Sequence, residues 1–442
     1  MRPPYPRPFK YVKAISIDEA LGYIKEGFKP LAGGQSLSTL LKLGLVWVEG
    51  LVDIFEIDEL RYVALEGETL KIGALTVHND VAMHEDIVHH APALAKAAWH
   101  IGDLQVRNRG TIGGSIAHAD PAANYLPVLM ALGGEIQLAG PGGRRRVAVE
   151  DFVKGPYATA AEGELVVEVS VPRWPLQAVE VIKRRGAAYP SLVLAAAARV
   201  EDGVVVKSRI AVGGLYTTPV VAKGALDGLS LGELPEAEVS LPEGDPYDDP
   251  HMRYVEKREA LPRYLQRLLQ QLGQGYRWAL PLRRELTMWR GTGNTATLNG
   301  VKTEIDTEPR VLLIDYLRSK GLREVRRGCD EGRCGACTVL VDKKAVKSCT
   351  LFAPQAAGHV IETVRSIQGH PIQRAFLEEY ASQCGYCTHG FMMALVDYFT
   401  IDLEARDEVL KLSIKNICRC TGYINIIKAI KKASYILLSK NL

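Results

Sequence analysis

The first 328 residues contain no cysteine, and all eight cysteines lie at or beyond Cys329. That distribution excludes a disulfide scaffold for most of the chain, and thiols clustered in a reducing compartment point to metal ligation instead of staples. Aromatic residues are few, at 7%, yet 47% hydrophobic against 24% charged leaves ample apolar surface to bury and excludes disorder by composition. No run of about 18 apolar residues exists, so no membrane span is expected, and the densest run, Leu192 to Ala198, suits a buried strand or short core helix. The opening Met1-Arg2-Pro3-Pro4-Tyr5-Pro6 lacks an apolar leader core, so a cytoplasmic location is expected. A concentrated basic excess is missing too. Residues 294–442 hold 21 Lys+Arg against 16 Asp+Glu within a net charge of +3, and Arg144-Arg145-Arg146 follows Pro141-Gly142-Gly143 as a solvated turn would. No nucleic-acid partner is expected.

A chain of 442 residues suggests about three domains at ~150 residues each. Ile17 to Lys25 reads as a helix capped at Ser16 with Glu19 completing a capping box, and Leu70 to Ala74 as a strand. Strands are expected at Leu192 to Val200, Val204 to Val206 and Ile210 to Val212. A helix is then expected from His251 to Leu272, kinked at Pro262 and stopping at Gly273. Gly291-Thr292-Gly293-Asn294-Thr295-Ala296 matches a dinucleotide fingerprint in letters only, because a strand rather than a helix follows it. Asn299-Gly300 signals a hairpin between Thr295–Leu298 and Val301–Ile305. A helix from Pro309 to Gly321 and helices at Pro371 to Tyr380, Phe391 to Phe399 and Asn425 to Leu438 follow. His84-Glu85-Asp86-Ile87-Val88-His89-His90 misses the zinc-protease spacing, since Val88 stands where the second histidine is required; these histidines read as surface residues.

Cys329-x4-Cys334-x2-Cys337-x11-Cys349 has the plant-type [2Fe–2S] spacing, in which a Gly-rich loop supplies three thiolates and a fourth arrives from elsewhere. Gly328, Gly332 and Gly335 let that loop turn sharply enough to aim amides at sulfur. Cys384-x2-Cys387 with Cys418-x-Cys420 sits in helical sequence, and its spacing alone fits zinc as well as a cluster. Gln383-Cys384-Gly385-Tyr386-Cys387-Thr388-His389-Gly390, Asn416 to Tyr423 and Cys329 to Thr338 resemble the iron–sulfur subunit of the xanthine oxidase and carbon monoxide dehydrogenase family of molybdenum hydroxylases. The resemblance spans roughly Thr295 to Ala433. It implies a [2Fe–2S] cluster at both groups, with the helical-domain cluster toward a partner's molybdopterin, Gln383 hydrogen-bonded to that cofactor, and the ferredoxin cluster toward flavin. His389 stands where the family usually has Pro. Arg419, between two ligands, either tunes potential by its charge or makes a structural salt bridge.

Two Gly-rich segments precede Trp174: Leu31-Ala32-Gly33-Gly34-Gln35-Ser36-Leu37 and Gly110-Thr111-Ile112-Gly113-Gly114-Ser115. Consecutive glycines let main-chain amides reach phosphate oxygens, although paired glycines also make ordinary turns. Together with Ala119-Asp120-Pro121-Ala122-Ala123-Asn124 they resemble the FAD-binding medium subunit of the same family, over about Lys10 to Leu272. That resemblance implies FAD pyrophosphate at Ala32, Gly33, Gly34, Gln35, Ser36, Leu37, Thr111, Ile112, Gly113, Gly114 and Ser115, with Asp120 on the flavin side. Asn124 stands where relatives commonly have Asp. Tyr189, after Lys183-Arg184-Arg185-Gly186, falls where relatives put an aromatic near the isoalloxazine, with buried core as the competing reading. His118 beside Asp120 is a further neighbour, with no partner that would make it catalytic.

The implied architecture is α+β and multidomain. Residues 1–174 would form a two-subdomain FAD-binding unit of the vanillyl-alcohol oxidase/PCMH type, and 175–280 the α+β C-terminal domain of the flavoprotein. A linker at 281–293 would lead to a β-grasp ferredoxin domain at 294–369 and a helical [2Fe–2S]-binding domain at 370–442. The implied role is an oxidoreductase subunit with no catalytic acid, base or nucleophile of its own. It would pass electrons from the molybdopterin of a large partner subunit through two clusters to FAD and an external acceptor, in a dimer of heteromeric units. Two other readings are a self-contained NAD(P)H reductase feeding an oxygenase and a zinc-stabilised assembly module.

Overall fold

The computed structural model describes residues 5–184, 187–274 and 280–440; the sequence readings on Met1 to Pro4, Arg185 and Gly186 lie outside them. Lys10–Lys13 and Lys29–Leu31 flank Gly50–Asp53 in a parallel sheet, with the helix Ile17–Lys25 between the first two strands. Ser16 caps that helix, its hydroxyl accepting the Glu19 N–H at 3.2 Å, but the Glu19 carboxylate accepts from Ile15 N–H, one residue earlier than a capping box requires. An antiparallel sheet follows in the order Val63–Glu66, Thr69–Gly73, Leu165–Pro172, Glu135–Gly140, Gly143–Ala148.

Between His78 and Leu132 the chain forms a run of short helices that pattern reading did not resolve. Two of them, His78–Met83 and Tyr125–Leu132, are buried at every residue, so no amphipathic stripe marks them. Two of the three histidines read as surface residues are in fact buried: His84 and His90 are 5% and 7% exposed, and only His89 faces solvent. His84 Nδ1 accepts from Asp86 N–H as a helix cap and His90 meets the Val171 carbonyl, so burial favours the neutral imidazoles and lowers both pKa values.

A third sheet, antiparallel, runs Leu176–Ile182, Leu192–Glu201, Val204–Gly213, Val220–Lys223. The apolar run at Leu192 is one of its inner strands, covered on both faces. Val193, Ala195 and Ala197 join a core with Tyr125–Leu132, while Leu194, Ala196 and Ala198 join Leu265, Leu268, Leu269 and Leu272 of the helix Tyr254–Gln274. Double coverage explains why the run does not alternate with polar residues. Val204 to Val206 and Ile210 to Val212, expected as two strands, are one.

Residues 281–294 carry no helix or strand yet are pinned to the first half. Asp80 accepts from Thr287 N–H and pairs with Arg283, and Trp289 is fully buried against Phe55. The next sheet runs Val301–Glu304, Thr295–Leu298, Val360–Glu362, Thr338–Val341, Lys344–Lys347, with Thr295–Leu298 parallel to Val360–Glu362. Asn299 and Gly300 turn the expected hairpin with φ of 47° and 87°. Its helix spans Leu313–Ser319, starting later than Pro309, because Val311 and Leu312 are held extended against Leu351 to Ala353. The last unit is helical: Pro371–Glu378, Thr388–Tyr398, Asp407–Ser413 and Tyr423–Lys440, the third of these unanticipated. The chain is thus a mixed α/β multidomain protein, and among the described residues no helix is long and apolar enough to cross a membrane.

One apolar core joins Phe9, Leu31, Leu41, Phe55 and Trp289 to Leu313, Val339, Cys337 and Cys349. Burial across that boundary fixes how the two halves meet.

Candidate flavin and iron–sulfur sites

Strand Lys29–Leu31 delivers the first Gly-rich segment, and the helix Leu37–Leu43 leaves it. Among the described residues, the amides of Gly33, Gly34, Gln35, Ser36 and Leu37 have no hydrogen-bond partner, so five consecutive donors are left free. The second segment opens the helix Ile112–His118 and differs. Ile112 N–H donates to Thr76 O, Gly113 N–H to Ala74 O, Ser115 N–H to Thr111 O, and Gly114 N–H to the Thr111 hydroxyl. Its amides are therefore spent inside the protein, leaving side chains as its polar surface. The two segments touch: a Cβ on Gly33 would stand 1.9 Å from Arg109 O.

Around these loops, Tyr189 is 42% exposed, so the buried-core reading does not hold. Asp120 Oδ1 accepts from Ala122 N–H at 2.8 Å and Oδ2 from the Tyr157 hydroxyl at 3.3 Å. Pattern reading missed Tyr157, which is non-glycine at φ 59°, 58% exposed and packed on the His118 ring; a lone exposed aromatic in a turn carries no sequence signal. Asn124 is buried, and its amide donates inward to Ala97 O.

In the first cysteine loop, Cys329 Sγ accepts from the amides of Glu331, Arg333 and Cys334 at 3.3–3.4 Å. A hydrogen bond from Cys334, with these amides, pulls the Cys329 thiol down to about 4, while the same thiol–thiol bond and burial push Cys334 up. Cys337 and Cys349, 2% and 3% exposed, form a second pair, with Cys349 drawn down to about 7 by its hydrogen bond from Cys337. Gly332 and Gly335 have positive φ, as the sharp turn requires. Gly328 serves through space, because a Cβ there would lie 2.5 Å from Cys334 Sγ.

The second group pairs likewise, Cys384 with Cys420 and Cys387 with Cys418. Cys384 and Gln383 are exposed, whereas Cys418 is buried. Burial, with a hydrogen bond to Cys418, raises Cys387 to about 12. His389 is buried, and Arg419 is exposed and, among the described residues, makes no salt bridge. Among the described residues no three His, Cys, Asp or Glu side chains converge as a single ion would need. Thiols grouped two by two suit a binuclear centre, in which each of two irons takes two thiolates.

The loops interlock. Ile417 N–H donates to Cys334 O at 2.9 Å and Asn416 Nδ2 to Gly335 O at 3.1 Å, which brings the two cysteine groups together. Gln35 Nε2 reaches the Thr350 hydroxyl at 3.4 Å, beside Cys349. Gln105 donates to Asn416 Oδ1, and the buried Arg107 to Leu412 O. Pattern reading missed both, since nothing in Gln105-Val106-Arg107 marks a contact more than 300 residues away.

Three family models match in succession: the FAD binding domain in molybdopterin dehydrogenase over residues 7–174, a 2Fe-2S iron-sulfur cluster binding domain over 296–360, and a [2Fe-2S] binding domain over 360–431. The glyceraldehyde dehydrogenase medium chain of Sulfolobus acidocaldarius is 38% identical over 221 residues, 49% of this chain and 78% of that one. The chain belongs to the molybdenum hydroxylase family. A second relative in that family, the 6-hydroxypseudooxynicotine dehydrogenase complex subunit beta of Paenarthrobacter nicotinovorans, is 46% identical over 145 residues, 30% of this chain and 89% of its own length. A solved carbon monoxide dehydrogenase from Hydrogenophaga pseudoflava superposes with a TM-score of 0.55 at 32% identity, covering 60% of this chain and 98% of that chain. As a molybdenum hydroxylase subunit with FAD-binding and 2Fe-2S domains, the chain is an oxidoreductase component that transfers electrons.

Proposed function

We propose that the chain accepts electrons from the molybdopterin of a large partner subunit and delivers them to an acceptor at its flavin. Cys329, Cys334, Cys337 and Cys349 hold one [2Fe–2S] cluster in a β-grasp domain at 294–369, and Cys384, Cys387, Cys418 and Cys420 hold the other in the helical domain at 370–442. FAD occupies a PCMH-type unit at 1–174, completed by the domain at 175–280, with 281–293 as the connection. The five free amides from Gly33 to Leu37 bind its pyrophosphate, and the Thr111 and Ser115 side chains support them. Ala32, Ile112, Gly113 and Gly114 shape the cradle, while Asp120 and Tyr189 lie toward the flavin ring. Bound there, the clusters exchange single electrons and the flavin one or two.

The contact between Gln35 and Thr350 carries this reading, because it sets the flavin loop against a residue adjacent to a cluster ligand. At the other end, exposed Gln383 and Cys384 sit beside Tyr380, Tyr386, Ile417 and Ile424, which are 46–81% exposed. That apolar rim suits the large molybdopterin subunit, with Gln383 meeting its cofactor. A dimer of such heteromeric units in the cytoplasm is the assembly we favour.

The test is metal, sulfide and flavin analysis of the purified full chain, with EPR after dithionite. Four irons, acid-labile sulfide, one FAD and two reduced-cluster signals are expected, and Gly33→Ala should lower flavin content without lowering iron. Colourless protein, zinc without iron, or rapid bleaching by NADPH alone would overturn the proposal.

A further inference from the structure

Lys42 lies on the helix Leu37–Leu43, which begins where the flavin loop ends. Its ammonium donates to the Cys349 carbonyl at 2.5 Å and to the Asp330 carbonyl at 2.9 Å, contacts that cross 307 and 288 residues of sequence. Both carbonyls belong to the first cysteine group, one of them to a ligand that is 3% exposed. Three other cations near the loop are paired: Lys347 with Asp103, Arg327 with Asp315 and Asp330, Arg333 with Glu331. Among the described residues no carboxylate pairs with Lys42, so its positive charge reaches the cysteine loop uncompensated. The side chain is partly buried, where solvent and salt screen it less than at the surface.

We infer that Lys42 is a positioning residue through which the flavin half sets the reduction potential of the ferredoxin-type cluster. This rests on the reading that Cys329, Cys334, Cys337 and Cys349 hold a [2Fe–2S] centre. Reduction adds one negative charge to such a centre, and a fixed cation beside it favours the reduced form. The same helix thus holds the flavin loop at one end and the cluster's electrostatic bias at the other. Loss of the charge would make the cluster a poorer electron acceptor without touching any ligand.

The experiment is an EPR-monitored redox titration of the full chain carrying Lys42→Met, Lys42→Gln or Lys42→Arg, with iron and flavin content measured on each. Lys42→Met should cut the reduced-to-oxidised ratio of the ferredoxin-type cluster about tenfold at a fixed poise, a shift of about 59 mV for one electron, and leave the other cluster in place. Lys42→Gln keeps a donor but no charge and should shift equally; Lys42→Arg should restore the wild-type value. Both signals present and unmoved in a fully loaded Lys42→Met would overturn the inference, as would a Lys42→Gln that titrates like wild type. Should Lys42→Met lose iron, Lys42→Gln and Lys42→Arg still decide between charge and hydrogen bonding. Absence of two cluster signals in the wild-type chain would sink the proposed function instead, which keeps the two failures apart.

Discussion

The Tyr386 hydroxyl donates to the Arg327 carbonyl at 2.6 Å. Tyr386 stands between Cys384 and Cys387, and Arg327 two residues before Cys329, so one side chain ties the two cysteine loops together. Tyr386→Phe removes only that bond and should cost about 1 kcal/mol. Thermal loss of the visible cluster absorbance, compared between wild type and variant, measures it; identical melting would mean the bond contributes nothing.

A second tie joins the flavin half to the ferredoxin-type unit. His359 is buried between Asp342, at 2.5 Å from Nδ1, and Glu56, at 3.0 Å from Nε2. Burial lowers its pKa, but the hydrogen bonds and charges of Asp342 and Glu56 outweigh burial and raise it above 6.5. A folded-state pKa above the unfolded one gives stability that is complete below about 6.5 and fades as pH rises through the raised value. Melting temperature should therefore fall between pH 6.5 and 9 more steeply in wild type than in His359→Gln. Parallel curves would show that the imidazolium is not the stabilising form.

His389 occupies the second position of the helix Thr388–Tyr398, where the backbone amide has no intrahelical partner and proline is tolerated. It is 6% exposed with neither ring nitrogen in hydrogen-bonding geometry, and burial depresses its pKa to about 4. An unsatisfied buried polar group costs about 1–3 kcal/mol. His389→Pro should keep both clusters and leave stability equal or higher by about 1 kcal/mol. A clear drop in melting temperature would show that the ring is held by packing that outweighs its desolvation.

The buried pair of Lys347 and Asp103 crosses between the halves, its side chains 2% and 7% exposed. Removing one partner strands the other, so Lys347→Met should destabilise the chain by about 3–5 kcal/mol, and Asp103→Asn added to it should recover most of that. Denaturant unfolding of the two variants measures the difference. Equal loss in single and double variants would argue against a charge-pair origin.

Much of the site was legible because its signals are local. Cysteine spacing places four thiols without knowledge of the fold, and Asn299-Gly300 dictates its own turn. What escaped was relational. Gln105 and Arg107 look like any polar residues of a short helix until residues 412–416 are brought beside them. Amide availability was equally hidden: Gly33-Gly34 and Gly113-Gly114 read alike, yet only the first pair keeps its donors free, because the second gives them to the Ala74 carbonyl and the Thr111 hydroxyl. The short helices from His78 to Leu132 escaped because burial all round removes the periodicity that would announce them.

The stretch that joins the two halves is welded to the first of them by Trp289 under the Arg109 guanidinium, by Asp80, and by the Gly291 amide on Glu56. Its covalent continuity is consequently almost redundant. The noncovalent seam, an apolar core shared between the halves together with the Asp103–Lys347 pair, would keep the flavin and iron–sulfur pieces in register even if the peptide were cut.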